Sequence, residues 1–279
     1  MKSVEILTED HYPISAHLFE PENSNGKILL INSATGVKQQ IYFSFAHFFS
    51  EKGFTVITYD YRGIGESKPK KLKKFKADMR IWGRLDFKAM TNFIKENYPN
   101  FRKYCLGHSI GALILGMNED SKIFEKFIFA ATQKAYIGNL RLKTKLEGIF
   151  GFGILLPLFN LLLGYFPAEW FGLGENLPKG CARDWRTLIL NKKSTNKLLE
   201  SVPDFSKTLT QNVLILNMED DPWVTQKGIE TLLKETYPNL KPEIREVKIS
   251  ESEHGKIGHI NFFRRYNQNL WNILIEVLS

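Results

Sequence analysis

Residues 107–111 read Gly-His-Ser-Ile-Gly, a serine held between two glycines, after the apolar run YCL and before the apolar run ALIL. A serine on a tight strand-to-helix turn has its hydroxyl pushed clear of the sheet, and the flanking glycines let strand and helix approach without Cβ clashes. The N-terminus of the following helix adds a dipole that favours developing negative charge. Ser109 is therefore the expected nucleophile.

A serine needs a base, and the base needs an acid to orient it. Of six histidines, His11 and His17 fall in a hairpin, His47 on an amphipathic helix and His108 in the serine turn itself. His254 and His259 both follow the last strand, and His259, directly after Gly258 and ahead of the closing helix, is the expected base, with His254 its rival. The strand 213–216 runs into Asn-Met-Glu-Asp-Asp-Pro-Trp-Val at 217–224, where Asp221 is the expected acid and Asp220 the second choice. Beyond the preceding strand no carboxylate occurs before Glu147. Two backbone N–H groups must receive the oxyanion. Ile110, after the serine, supplies one; Ala34, with Thr35 next, is expected to supply the other from the loop 32–36.

These residues need a frame. Residues 4–8 and 14–19 alternate apolar and polar as a hairpin does. The apolar-rich runs at 27–31, 54–59, 126–131 and 213–216 read as buried strands, 102–106 reads as a short strand, and 244–249 alternates again. Helical spacing marks 39–52, 86–98, 110–117 and 261–278. Strand and helix in alternation give an α/β chain with a mostly parallel central sheet covered by helices on both faces. Residues 133–206 break the rhythm and read as a helical cap inserted between two parts of the core, 1–132 and 207–279. Ligands of such sheets bind at the carboxyl edge of the strands.

Composition narrows the classes. The chain has 279 residues, 43% hydrophobic and 24% charged, as expected of a protein with a sizeable core rather than a disordered or fibrous chain. Two cysteines, Cys105 and Cys181, exclude a disulfide scaffold. The opening residues lack a Lys/Arg-led apolar segment, which makes the cytoplasm the expected compartment. Neither a phosphate-binding loop, a dinucleotide fingerprint, a zinc-protease motif nor a nucleic-acid-binding motif occurs, so no cofactor, metal or nucleic acid is expected. The net charge of +8 reads mainly as a lysine-rich solvated surface.

Residues 60–67, Asp-Tyr-Arg-Gly-Ile-Gly-Glu-Ser, look like the Asp-x-Arg-Gly-x-Gly-x-Ser turn of the α/β-hydrolase fold family. Together with Ser-Ala-Thr-Gly-Val at 33–37 and Leu-Pro-Lys-Gly at 177–180, the chain resembles a sparsely characterised bacterial subgroup of predicted serine hydrolases, esterase- or lipase-like. The resemblance spans nearly the whole chain, through Gly258 to Phe263. It implies the α/β-hydrolase fold and cleavage of an ester, thioester or amide through an acyl-enzyme intermediate, with no cofactor. The sequence departs from common relatives at Asn32-Ser33, where His-Gly is usual, at Asp10-His11 in the hairpin turn, and at Gly111-Ala112, where a second glycine is usual.

Residues 148–168 carry no charge, a length sufficient for a membrane span. Pro157, Asn160 and four glycines interrupt it, and a span there would split the sheet, so the expected role is a roof over an apolar substrate pocket. Dimer packing and peripheral membrane contact through the cap are the other readings. The run 68–76 holds six lysines in nine residues, expected as a solvated segment. The leading expectation is hydrolysis of a lipophilic small-molecule ester. The alternative is a non-catalytic protein of the same fold that grips an apolar ligand or a membrane surface. Substrate and oligomeric state are not legible in the residues.

Overall fold

The computed structural model describes residues 1–278. The hairpin forms as its alternation requires: β1 (Lys2–Leu7) pairs antiparallel with β2 (Pro13–Phe19), turning at His11, whose φ is 61°. The apolar runs become β3 (Lys27–Asn32), β4 (Phe54–Tyr59), β5 (Arg102–His108) and β6 (Lys126–Ala130), all but wholly buried between helical layers. A two-stranded ribbon, β7 (Tyr165–Phe166) with β8 (Leu177–Pro178), precedes β9 (Asn212–Met218) and the exposed edge strand β10 (Lys241–Val247). The main sheet has eight strands in the order β1-β2-β4-β3-β5-β6-β9-β10, and every pairing from β4 to β10 is parallel. Between β6 and β9 the chain leaves the sheet, turns mainly through helices and crosses the carboxyl edge.

The expected helices over 39–52 and 110–117 each combine a 3-10 turn with a shorter regular helix, at Phe43–Glu51 and Ile110–Leu113, and two others differ more. The helix expected over 86–98 starts earlier, at Met79: Asp78 caps it by accepting the Ile81 N–H, and a wide π turn over Trp82–Asp86 joins it to Phe87–Asn97. The expected closing helix over 261–278 is instead two 3-10 turns followed by a regular helix at Asn272–Leu278. A buried polar knot breaks it. The Asn267 amide donates to the carbonyls of Lys256 and Asn261 and accepts from the Ser252 hydroxyl, which holds Asn267 off helical dihedrals. Satisfying that buried amide outweighs the apolar periodicity on which the expectation rested.

Candidate active site

Ser109 sits at the carboxyl end of β5 with φ 54° and ψ −114°, a strained conformation for a residue bearing a Cβ. The glycines around it are set by contact. A Cβ at Gly107 would lie 2.5 Å from the Ala112 backbone nitrogen, and one at Gly111 would lie 2.2 Å from the Asn32 carbonyl oxygen. The turn is fixed from below, because the Ser109 N–H donates to Ala130 O at 2.9 Å and the Thr132 hydroxyl to Ser109 O at 3.2 Å.

Asp221 and His259 come from loops beyond β9 and β10. The wholly buried Asp221 places Oδ2 2.7 Å from His259 Nδ1, and its Oδ1 accepts the Trp223 N–H at 2.8 Å. Asp220 has another task. It accepts the backbone N–H groups of Ile257 and Gly258, at 3.0 and 2.7 Å, and so pins the loop that carries His259. His254 packs against Tyr266, with ring centroids 4.1 Å apart and the planes tilted by 37°, and does not line the cavity that holds Ser109. Ser109 and His259 line one cavity of about 180 Å³ without a direct hydrogen bond between them, a looseness common in such pairs before substrate tightens them.

In the loop 32–36 the N–H of Ala34, one of the two expected oxyanion donors, already has a protein partner. Ala34 lines the cavity, and its N–H donates to the buried Tyr42 hydroxyl at 3.1 Å. Tyr42 is brought there by the 3-10 turn Gln39–Tyr42, an element the sequence reading had merged into one helix. Thr35 and Ile110 line the cavity, and among the described residues neither N–H donates to a protein acceptor. The rest of the wall is largely apolar, with Leu113, Leu173, Trp185, Leu188, Trp223 and Ile260 prominent.

A sequence profile described as serine aminopeptidase, S33, matches residues 24–136, a span that includes the loop 32–36, the Asp60 turn and Ser109. No curated protein matches. Solved structures align over almost the full chain. A soluble variant of monoglyceride lipase from Saccharomyces cerevisiae, in complex with a substrate analogue, shares 15% identity at a TM-score of 0.67, covering 100% of this chain and 96% of that one. An esterase from Pyrococcus furiosus shares 16% identity at a TM-score of 0.61, covering 99% and 90%. An α/β serine hydrolase homologue from Coxiella burnetii shares 13% identity at a TM-score of 0.57, covering 100% and 97%.

The chain has the α/β-hydrolase fold.

Within this α/β-hydrolase fold the Asp60 turn is a brace. Asp60 accepts N–H groups from Gln39 and Glu66, and burial pushes its carboxyl up to about 6. Arg62 is buried with Nε 2.6 Å from Asp86 and its other guanidinium nitrogens on Asp10, tying the sheet to the hairpin turn. Burial pushes the Asp86 carboxyl up to about 7 against the opposing pull of Arg62, whereas the hydrogen bonds from Arg62 hold exposed Asp10 well below the usual carboxylate range. Glu175 clasps the segment beyond β6 to this brace. Its carboxylate accepts the Gly65 N–H at 2.7 Å and its N–H donates to Gly36 O at 2.7 Å. The sequence reading missed Asp86, Glu175 and Tyr42, because no local pattern announces partners between 8 and 110 residues distant.

Proposed function

We propose that the protein is a serine hydrolase that cleaves a carboxylic ester of a lipophilic small molecule through an acyl-enzyme intermediate. The observation that carries the reading is the 2.7 Å Asp221–His259 hydrogen bond, made at the wall of the cavity that Ser109 also lines. Asp221 holds the imidazole proton on Nδ1, leaving Nε2 as the base. His259 takes the Ser109 proton as the hydroxyl oxygen attacks the carbonyl carbon. The N–H groups of Ile110 and Thr35 receive the oxyanion, since Tyr42 occupies that of Ala34. His259 then protonates the leaving alcohol, and water, activated in the same way, releases the acid and restores the serine. An apolar wall supports an acyl group of lipophilic character, and the neighbouring monoglyceride lipase was solved with a substrate analogue.

The test is intact-mass analysis after treatment with a fluorophosphonate. One adduct on the wild type and none on Ser109→Ala supports the reading. No adduct on the folded wild type removes it and favours the non-catalytic binder of an apolar ligand.

A further inference from the structure

Residues 142–162 form one continuous helix of 21 residues, long and apolar enough by length and composition to cross a membrane. Its sidedness is inverted for a helix on a soluble surface. The buried face carries Thr144, Gly148, Phe152, Leu156 and Asn160. Directly opposite, two residues on in each repeat, lie Leu142, Leu146, Phe150, Ile154, Leu158 and Leu162, from 45% to 72% exposed. Four residues advance an ordinary helix by about 400°, so such stripes drift by about 40° each repeat. The π turn at Gly151–Leu155 is wider and takes up part of that drift, keeping both faces coherent from end to end.

The inner face is occupied by the protein. The Thr144 hydroxyl donates to Pro222 O at 3.0 Å, Phe152 packs edge-on against Trp185, and Arg186 Nε donates to Phe152 O at 3.0 Å. A helix held along one side by protein groups lies on a surface rather than spanning a bilayer. Trp170, 66% exposed, extends the apolar face where it packs against Phe159.

Cations bracket this face. Arg141, Lys143 and Lys145 stand at its start. Beyond its end, Lys73 touches Gly164, and a hollow there gathers Lys73, Lys74, Lys76, Lys179 and Arg183. None of these eight forms an ion pair among the described residues. A second copy is a poor occupant: twofold pairing of antiparallel helices would set one cationic end against the other.

We propose that this face docks the protein onto an anionic lipid bilayer, the stripe lying in the interface and the two lysine- and arginine-rich ends meeting the headgroups. The proposal does not rest on the hydrolase reading, and Ser109→Ala is expected to bind vesicles as the wild type does.

The experiment is flotation of the full chain with phosphatidylcholine vesicles, with and without phosphatidylglycerol, at low and high salt, alongside sedimentation equilibrium without lipid. The expected result is a monomer that binds the anionic vesicles roughly tenfold better and loses that preference in high salt. Ile154→Asp with Leu158→Asp should lower binding at least tenfold, while thermal midpoint and turnover of a water-soluble ester stay unchanged. Lys73→Glu with Lys74→Glu should remove the anionic preference. Failure of the wild type to float, equal flotation of the Asp pair, or a lipid-free dimer that the Asp pair splits would overturn the proposal; the last would make the face a contact between copies.

Discussion

His108 Nε2 lies 2.8 Å from the backbone carbonyl of His259, so the residue before Ser109 holds the residue expected to activate that serine. A carbonyl only accepts, which places the His108 proton on Nε2 and leaves Nδ1 to accept from the Tyr42 hydroxyl at 2.7 Å. Tyr42 in turn accepts the Ala34 N–H. One buried chain thus joins the loop 32–36, the serine turn and the histidine loop, every member of it satisfied.

Tyr42→Phe should cut that chain at its centre, leaving His108 Nδ1 and the Ala34 N–H buried without partners. Urea unfolding is expected to show a loss of about 1–3 kcal/mol. Turnover should fall more than substrate binding, because both loops meet at the reacting atoms. An unchanged unfolding midpoint would show that the chain contributes nothing.

His108 supplies a pH dependence of stability. Burial is the main cause that holds its pKa well below 6.5, with His259 adding to it. The folded state keeps the ring neutral while the unfolded state protonates it, so the stabilising contribution is complete above pH 6.5 and is lost as pH falls below it. The loss should approach about 1.4 kcal/mol per pH unit. His108→Gln, which cannot titrate, should show a stability–pH curve flatter by that slope below pH 6.5 in denaturant titrations.

Asp221 and Asp220 are adjacent but have separate tasks, and kinetics should tell them apart. Asp221→Asn presents an amide to His259 and favours the wrong tautomer, at an expected cost of about 10⁴-fold in kcat, the size seen for that change in a serine protease. Asp220→Asn keeps one acceptor for the Ile257 and Gly258 N–H groups and should cost far less. Equal losses for the two would sink the assignment.

Arg62→Ala would leave Asp86 wholly buried without its cation. Removing one member of a buried pair typically costs about 3–5 kcal/mol. Calorimetry should find the variant strongly destabilised at neutral pH and partly recovered in mild acid, where Asp86, already pushed up to about 7 by burial, takes a proton.

Gly111→Ala tests the packing of the serine turn on the loop 32–36. The added methyl would meet Asn32 O at 2.2 Å, where the Asn32 amide also donates to Gly111 O. A stability loss of about 1–3 kcal/mol is expected, with a larger proportional loss of turnover as the Asn32 loop is pushed away. Full activity in this variant would detach the loop from the chemistry.

Much of this protein was legible without coordinates, because its signals are local. Four apolar-rich runs and the short strand from Arg102 form strands of the sheet as read, since a strand buried on both faces needs a mainly apolar run. The serine turn was legible because only glycine fits where Ala112 and Asn32 crowd it. The preference for Asp221 over Asp220, and for His259 over His254, rests on chain position alone; only the fold pairs Asp221 with His259 at 2.7 Å, sets Asp220 on backbone N–H groups and packs His254 against Tyr266. Tertiary structure alone decided the fate of the Ala34 N–H, because Tyr42 reaches it from another element and no pattern encodes a hydroxyl's aim. It also decided the closing segment, where Asn267 finds buried partners that override helical spacing. The uncharged run from 148 was visible as composition, but its sidedness was not. Which apolar residues a helix turns outward depends on what packs against its other face, and that is a property of the assembled fold.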